Sequence, residues 1–242
     1  MRAVLLLFVL LIALPGRAVP ARAVGQAVDA AIVLVTDVSL SITGPEYALE
    51  KQGYASAIQS PAVVSAIRHG AIGAIALSYV EFAGPDQIAT VISWRIIRGQ
   101  SSAHRFAAAL LAAPRSAEGR TAVGSGIAAA TQDLAEIGLV ATRRIIDVCG
   151  DGNSNAGVLL SEARAEALKA GITINGLAIV HANPPPWLAP HVAPPGGIVE
   201  YYRENVIGGP GSFVVQVNTD HDFTAAMIHK LILEIASRPA HL

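Results

Sequence analysis

Ala30-Ala31-Ile32-Val33-Leu34-Val35-Thr36-Asp37-Val38-Ser39-Leu40-Ser41 is the stretch whose reading decides the fold. Its first half is an unbroken run of small and β-branched apolar residues, the pattern of a strand buried on both faces of a parallel sheet. Its second half turns polar, so the strand gives out into a loop at Asp37. A second run, Arg144-Ile145-Ile146-Asp147-Val148-Cys149, ends in the same way just before Asp151. Further strand-like runs cover 71–82, 87–94, 172–180 and 212–217. Helix-like segments cover 45–59, 61–69, 103–112, 122–137, 158–170 and 222–236, with Gly171 placed to cap one of them. Apolar strands alternating with amphipathic segments are the signature of βαβ units around a parallel sheet. Only Ala83-Gly84-Pro85-Asp86 separates the runs 71–82 and 87–94, so these two read as a hairpin. The fold expected is therefore α/β, Rossmann-like and doubly wound. Its sheet is mostly parallel with one antiparallel edge strand, and helices lie on both faces.

In such a sheet the loops at the carboxyl ends of the strands converge on one crevice. Asp37, Ser39 and Ser41 stand in one of those loops, and alternate residues of a turning segment can face one point. Thr121, before a helix, and Asp151-Gly152, after a strand, come to the same edge. Two carboxylates and three hydroxyls, with no Cys or His, are hard oxygen ligands suited to Mg²⁺, Mn²⁺ or Ca²⁺ and poorly suited to zinc. A cation between two carboxylates would also remove their repulsion. Each residue has a plainer reading: Asp37 as a cap or turn, Thr121 as the N-cap of the helix from Ala122, Asp151-Gly152 as a turn dipeptide. Their joint order along the chain favours the metal cup.

The run Asp37-Val38-Ser39-Leu40-Ser41, the distant Thr121 and the strand ending in Asp151-Gly152 resemble the metal-ion-dependent adhesion site of von Willebrand factor type A (vWA) domains. The resemblance covers roughly 29–237. The segment 201–211 is similar to that of a secreted bacterial vWA branch of unknown function. Leu40 departs from the pattern, because many vWA domains have Gly there. By resemblance, Ser39, Ser41 and Thr121 coordinate the ion, Mg²⁺ first among candidates, directly or through water. Asp37 and Asp151 bind directly or from behind water. Neutral hydroxyls leave the ion much of its charge, so the expected partner is a protein offering an Asp or Glu carboxylate.

With 242 residues, 52% of them hydrophobic and 14% charged, the chain can bury one sizeable core. A formal net charge of −1 excludes nucleic-acid binding through bulk charge. Met1-Arg2, the apolar run 3–14 and Ala21-Arg22-Ala23 read as a secretory signal peptide over 1–23, leaving a vWA-like domain over 24–242. That apolar run is shorter than the about 20 residues that span a bilayer. No later stretch is long and apolar enough to span, so a periplasmic or secreted location is expected. Cys149, the single cysteine, reads as a buried small hydrophobe rather than a nucleophile. The Pro-rich segment 183–197 is expected to be a loop on the cup's edge, with Trp187 exposed as a contact residue and Trp94 packed.

The enzyme alternative is a secreted hydrolase using Ser154 or the bound metal. Gly152-Asn153-Ser154-Asn155-Ala156 is an incomplete nucleophile elbow, because Ala156 replaces its last glycine. Asn153 and Asn155 read as turn formers near Asp151. His181, His191, His221 and His229 read as solvated or capping histidines. Gly124 and Gly126 are expected to let their helix pack closely rather than to cradle phosphate.

Overall fold

A computed structural model describes residues 25–218 and 223–236. The expected leader over 1–23, and His221, lie outside these residues. In chain order the strands are β1 (Ala27–Val28), β2 (Ala30–Asp37), β3 (Ile75–Phe82), β4 (Ile88–Ile97), β5 (Val140–Ala141), β6 (Arg144–Gly150), β7 (Thr173–Val180) and β8 (Val214–Asn218). The helices are α1 (Gly44–Ile58), α2 (Pro61–Arg68), α3 (Gln100–Ala112), α4 (Val123–Glu136), α5 (Leu160–Lys169), α6 (Ala189–Val192), α7 (Ile198–Tyr201), extended by a π turn over Tyr202–Val206, and α8 (Phe223–Ala236).

Six strands form the main sheet in the order β4-β3-β2-β6-β7-β8, and β1 pairs with β5 in a small separate ladder. Every pairing in the main sheet is parallel except β3 with β4, which places the one antiparallel strand at an edge as the hairpin reading expects. All eight residues of β2 are buried. Alternate side chains of a strand point to opposite faces, and β2 divides accordingly. Ala30, Ile32 and Leu34 join the core under α1, α2, α3 and α8, whereas Ala31, Val33 and Val35 join the core under α4 and α5. Burying such a side chain stabilises the fold by about 1.5–3 kcal/mol. A one-residue slip of β2 would exchange the two sets.

Local chemistry fixes several boundaries. Thr43 caps α1 through a reciprocal capping box with Glu46, and Pro45 occupies its first turn. β3 starts at Ile75 rather than at 71, because the Asp29 carboxylate accepts from the amides of Ile72, Gly73 and Ala74 at 2.8–3.2 Å. Those amides are tied into a turn, and Gly73 takes φ of +73° there. α4 crosses the start of α5 closely: a Cβ on Gly124 would lie 2.2 Å from the Val158 carbonyl oxygen. Packing on the sheet, the role expected of the two glycines, falls to Gly126, where a Cβ would lie 3.0 Å from side-chain atoms of Phe82 and Val35. The Pro-rich segment is not loop throughout, since α6 forms within it. Pro190 sits in the first turn of α6, where its missing N–H costs no hydrogen bond.

Candidate metal centre

β2 delivers Asp37 to the carboxyl edge of the sheet, 1% exposed, and β6 delivers Asp151 beside it, fully buried. The β6 backbone presses on Asp37, because a Cβ on Gly150 would stand 2.9 Å from the Asp37 Cβ. The Ser39 amide donates to Asp37 Oδ1 at 2.8 Å, the Ser39 and Ser41 hydroxyls lie 3.0 Å apart, and Ser41 Oγ donates to Asp151 Oδ1 at 2.7 Å. Four of the five expected residues thus form one hydrogen-bonded chain of oxygens. Arg115 braces their loop: its Nη2 donates to the carbonyls of Val38, Ser39 and Ile42 at 2.8–2.9 Å. That brace was invisible in the sequence, because nothing near Arg115 marks its target.

The electrostatics are one-sided. Asp37 Oδ2 is buried and has no hydrogen-bond partner. Burial, and next the neighbouring Asp151 charge, push the Asp37 carboxyl up from its ordinary 3.8 to about 8. A buried acceptor left unpaired costs roughly 1–3 kcal/mol, and more when charged. Loss of water and two like charges therefore both oppose ionisation here, and among the described residues no cationic side chain is hydrogen-bonded to Asp37.

Thr121 is 1% exposed. It does not cap α4, correcting the N-cap reading. The N-cap is Ala122, with no side-chain cap bond. The Thr121 backbone is instead held on both sides by Asn155, whose Oδ1 accepts from the Thr121 amide at 3.0 Å and whose amide donates to the Thr121 carbonyl at 2.9 Å. Asn155 is therefore more than a turn former. Freed from capping, the Thr121 hydroxyl lies 3.0 Å from His191 Nε2.

Two histidines belong to this edge, each meeting an oxygen of a cup residue, which corrects their reading as solvated or capping residues. His181, just past β7, meets Asp151 Oδ2 through Nε2 at 2.8 Å, and this bond holds its imidazole above the usual range despite burial. His191, from α6, meets Asn153 Oδ1 through Nδ1 at 2.6 Å, and burial lowers its pKa. His191 fits because residue 152 is glycine: a Cβ there would come within 2.1 Å of Nε2. Gly152 was the available signal, read only as half of a turn.

Thr121, His191 and Asn153 line up in the order of a nucleophile, a base and an orienting group. The Thr121 hydroxyl is shut away from any substrate, so the line fixes His191 rather than arming Thr121. The Ser154 amide donates to the Tyr201 hydroxyl at 3.0 Å, and among the described residues no hydrogen bond joins the Ser154 hydroxyl to a histidine. Cys149 is buried as expected, Trp94 is partly buried against the core, and Trp187 is 77% exposed. Among the described residues no three His, Cys, Asp or Glu side chains stand together as a metal cluster. What the edge offers is two carboxylates and three hydroxyls, and the unpaired Asp37 Oδ2 fits a cation better than it fits anything the chain itself supplies.

Residues 27–239 match the family described as "Protein of unknown function (DUF1194)". The chain belongs to that family. No curated protein matches the sequence. Among solved structures, the fold is similar to proximal thread matrix protein 1 from the mussel byssus, with a TM-score of 0.59 at 17% identity over 87% of this chain and 46% of that one. A second structure of that mussel protein is described as having a zinc-occupied MIDAS motif, the adhesion-site motif of the vWA resemblance. The pilus adhesin SpaC from Lactobacillus rhamnosus GG matches with a TM-score of 0.55 at 15% identity over 87% of this chain and 30% of that one. An aerotolerance-related membrane protein from Bacteroides fragilis, with multiple mutations to serine, matches with a TM-score of 0.55 at 18% identity over 85% and 99%. The chain therefore spans under half of the mussel protein and of the adhesin. These likenesses establish a vWA-like α/β fold for the family member described here. Among the described residues no helix is long and apolar enough to cross a membrane.

Proposed function

We propose that the chain is an exported, non-enzymatic adhesion or scaffold module. In this reading Asp37, Ser39, Ser41, Thr121 and Asp151 hold a divalent cation, Mg²⁺ ahead of Mn²⁺ or Ca²⁺, and the cation binds an Asp or Glu carboxylate of a protein partner. The observation that carries this reading is Asp37 Oδ2, buried and unpartnered beside a second buried carboxylate. A divalent ion there would satisfy the orphaned oxygen and offset both the burial and the Asp151 repulsion that raise the Asp37 pKa. Support also comes from the printed descriptions of similar folds, which include a thread matrix protein and a pilus adhesin.

The three hydroxyls are neutral, so the ion keeps an electrophilic face toward solvent. His181 and His191 orient Asp151 and Thr121 from behind, as outer partners of metal ligands commonly do. The segment 181–197 rises beside that face and presents Trp187, a rigid aromatic contact. A leader over 1–23 and a mature domain over 24–242, placed in the periplasm or outside the cell, complete the proposal.

The test is capture of partners from the native envelope by the mature chain, with Mg²⁺ and with EDTA. The reading expects a partner that is held with Mg²⁺, released by EDTA and not held by Asp37→Ala. A partner held equally under all three conditions would show that the cup is structural and that binding uses another face.

A further inference from the structure

A second, separate feature lies between α1, the ends of β7 and β8, and the first turn of α8. There the chain forms a pocket of about 190 Å³ that opens to solvent. Its walls include Ile42, Ile179, Val217 and Phe223, so its body is apolar. For scale, a dry apolar cavity of about 150 Å³ in another protein admits benzene. The same wall carries Glu50, the middle of α1, which is 5% exposed. Glu50 Oε2 is buried and has no hydrogen-bond partner.

An isolated carboxyl facing an apolar cavity is an unbalanced arrangement, because burying a charge without a partner is costly. Cations close in sequence or space are committed elsewhere. Lys51 donates to the Ala113 carbonyl, and Arg115 is spent on the carbonyls that brace the loop after β2. The remaining ionisable walls are engaged too: Glu46 Oε2 accepts from Thr43, and His181 Nε2 is held by Asp151. A bare metal ion would find one carboxylate and an apolar wall, which is a poor donor set. An organic cation fits both halves, its body replacing water on the apolar wall and its N–H groups meeting the orphaned oxygen.

We propose that this cavity binds a small primary ammonium compound with an apolar, ring-sized body, the ammonium donating to Glu50 and the body packing on Ile179, Val217 and Phe223. The proposed contacts involve none of the five cup residues, but the charges of Asp151 and Asp37 reach Glu50, so the test is run with the cup in a single state, in EDTA.

Benzylamine and its neutral near-isostere benzyl alcohol are suitable probes, titrated into the mature chain in EDTA and followed by protein and ligand NMR. Benzylamine should bind at least about tenfold more tightly than benzyl alcohol. Glu50→Gln should abolish that preference and leave benzyl alcohol binding unchanged. Equal affinity of the two probes for the wild type, or binding of neither, would overturn the proposal. Should Glu50→Gln fail to fold, the wild type still decides. Nuclear Overhauser contacts from the benzylamine ring to Phe223 and Ile179 support the site, and contacts only to surface residues elsewhere refute it.

Discussion

Two clusters of buried acids sit at different depths of the same sheet and are resolved in opposite ways. In the body of the sheet, Asp147 of β6 and Glu234 of α8 flank Lys230, whose Nζ lies 2.5 Å from an oxygen of each. Asn175 of β7 donates to Glu234 at 2.9 Å, while Asp147 Oδ2 and Glu234 Oε2 have no hydrogen-bond partner among the described residues. At the carboxyl edge, Asp37 and Asp151 are as deeply buried, yet among the described residues no lysine or arginine side chain is hydrogen-bonded to either. Asp151 has His181 and the Ser41 hydroxyl, and among the described residues Asp37 Oδ2 has no hydrogen-bond partner. The inner cluster carries its own cation; in the function proposed above, the outer one receives a metal ion. Even inside, a single ammonium does not balance two carboxylates. Burial and Glu234 therefore lift Asp147 to about 7, while its two acidic neighbours raise Lys230 further.

The largest effect expected from this contrast is on the inner cluster. Lys230→Met leaves two buried acids without a cation, and breaking a buried pair in this way costs about 3–5 kcal/mol. Urea denaturation should show that loss equally with Mg²⁺ and with EDTA. A loss that added metal repaired would mean that the two clusters are not separate.

The outer cluster should respond to metal and to pH. Saturating Mg²⁺ or Mn²⁺ should raise stability by about 1–3 kcal/mol, and EDTA should remove the gain. Without metal, the folded-state pKa of Asp37 lies above its unfolded value. Its stabilising contribution is then complete below about 4 and is lost as pH rises toward about 8. Asp147 adds a loss of the same sign up to about 7. Asp37→Asn should remove the Asp37 part of this slope and leave the Asp147 part. Melting temperatures between pH 4 and 9, in EDTA, separate the two; an unchanged slope in Asp37→Asn would show that Asp37 is ionised throughout.

Finer still is the division of labour around the face of the ion. Thr121→Ala should weaken both metal and partner binding. Trp187→Ala should weaken only the partner, with stability changed by less than about 0.5 kcal/mol, since its side chain is exposed. Metal titration and partner capture on the two variants check this. Equal losses of metal affinity would place Trp187 in the cup and contradict its exposed position.

The same contrast bears on how much of the molecule is legible in its sequence. β2 and β6 were legible because an unbroken apolar run can satisfy its backbone only inside a sheet, and their polar ends marked Asp37 and Asp151 as edge residues. The hairpin into β4 was legible from four turn-forming residues. His181 and His191 were not, because their roles depend on how the segment after β7 folds back. α6 is only four residues long, too short to show a period. The plainer reading of Thr121 as a cap fails because capping is a local rule, and here Asn155, 34 residues away, overrides it. Lys230 had a sign in advance: an aspartate inside the run 144–149 needs a buried partner, although nothing in the sequence names which lysine.

The central claim is that the unpaired Asp37 oxygen awaits a divalent ion, and isothermal titration of the mature wild-type chain and Asp37→Ala with Mg²⁺ and Mn²⁺ at pH 8 tests it most directly. The account predicts one saturable site in the wild type and none in Asp37→Ala. Equal binding by both proteins, or no binding by the wild type, would contradict it.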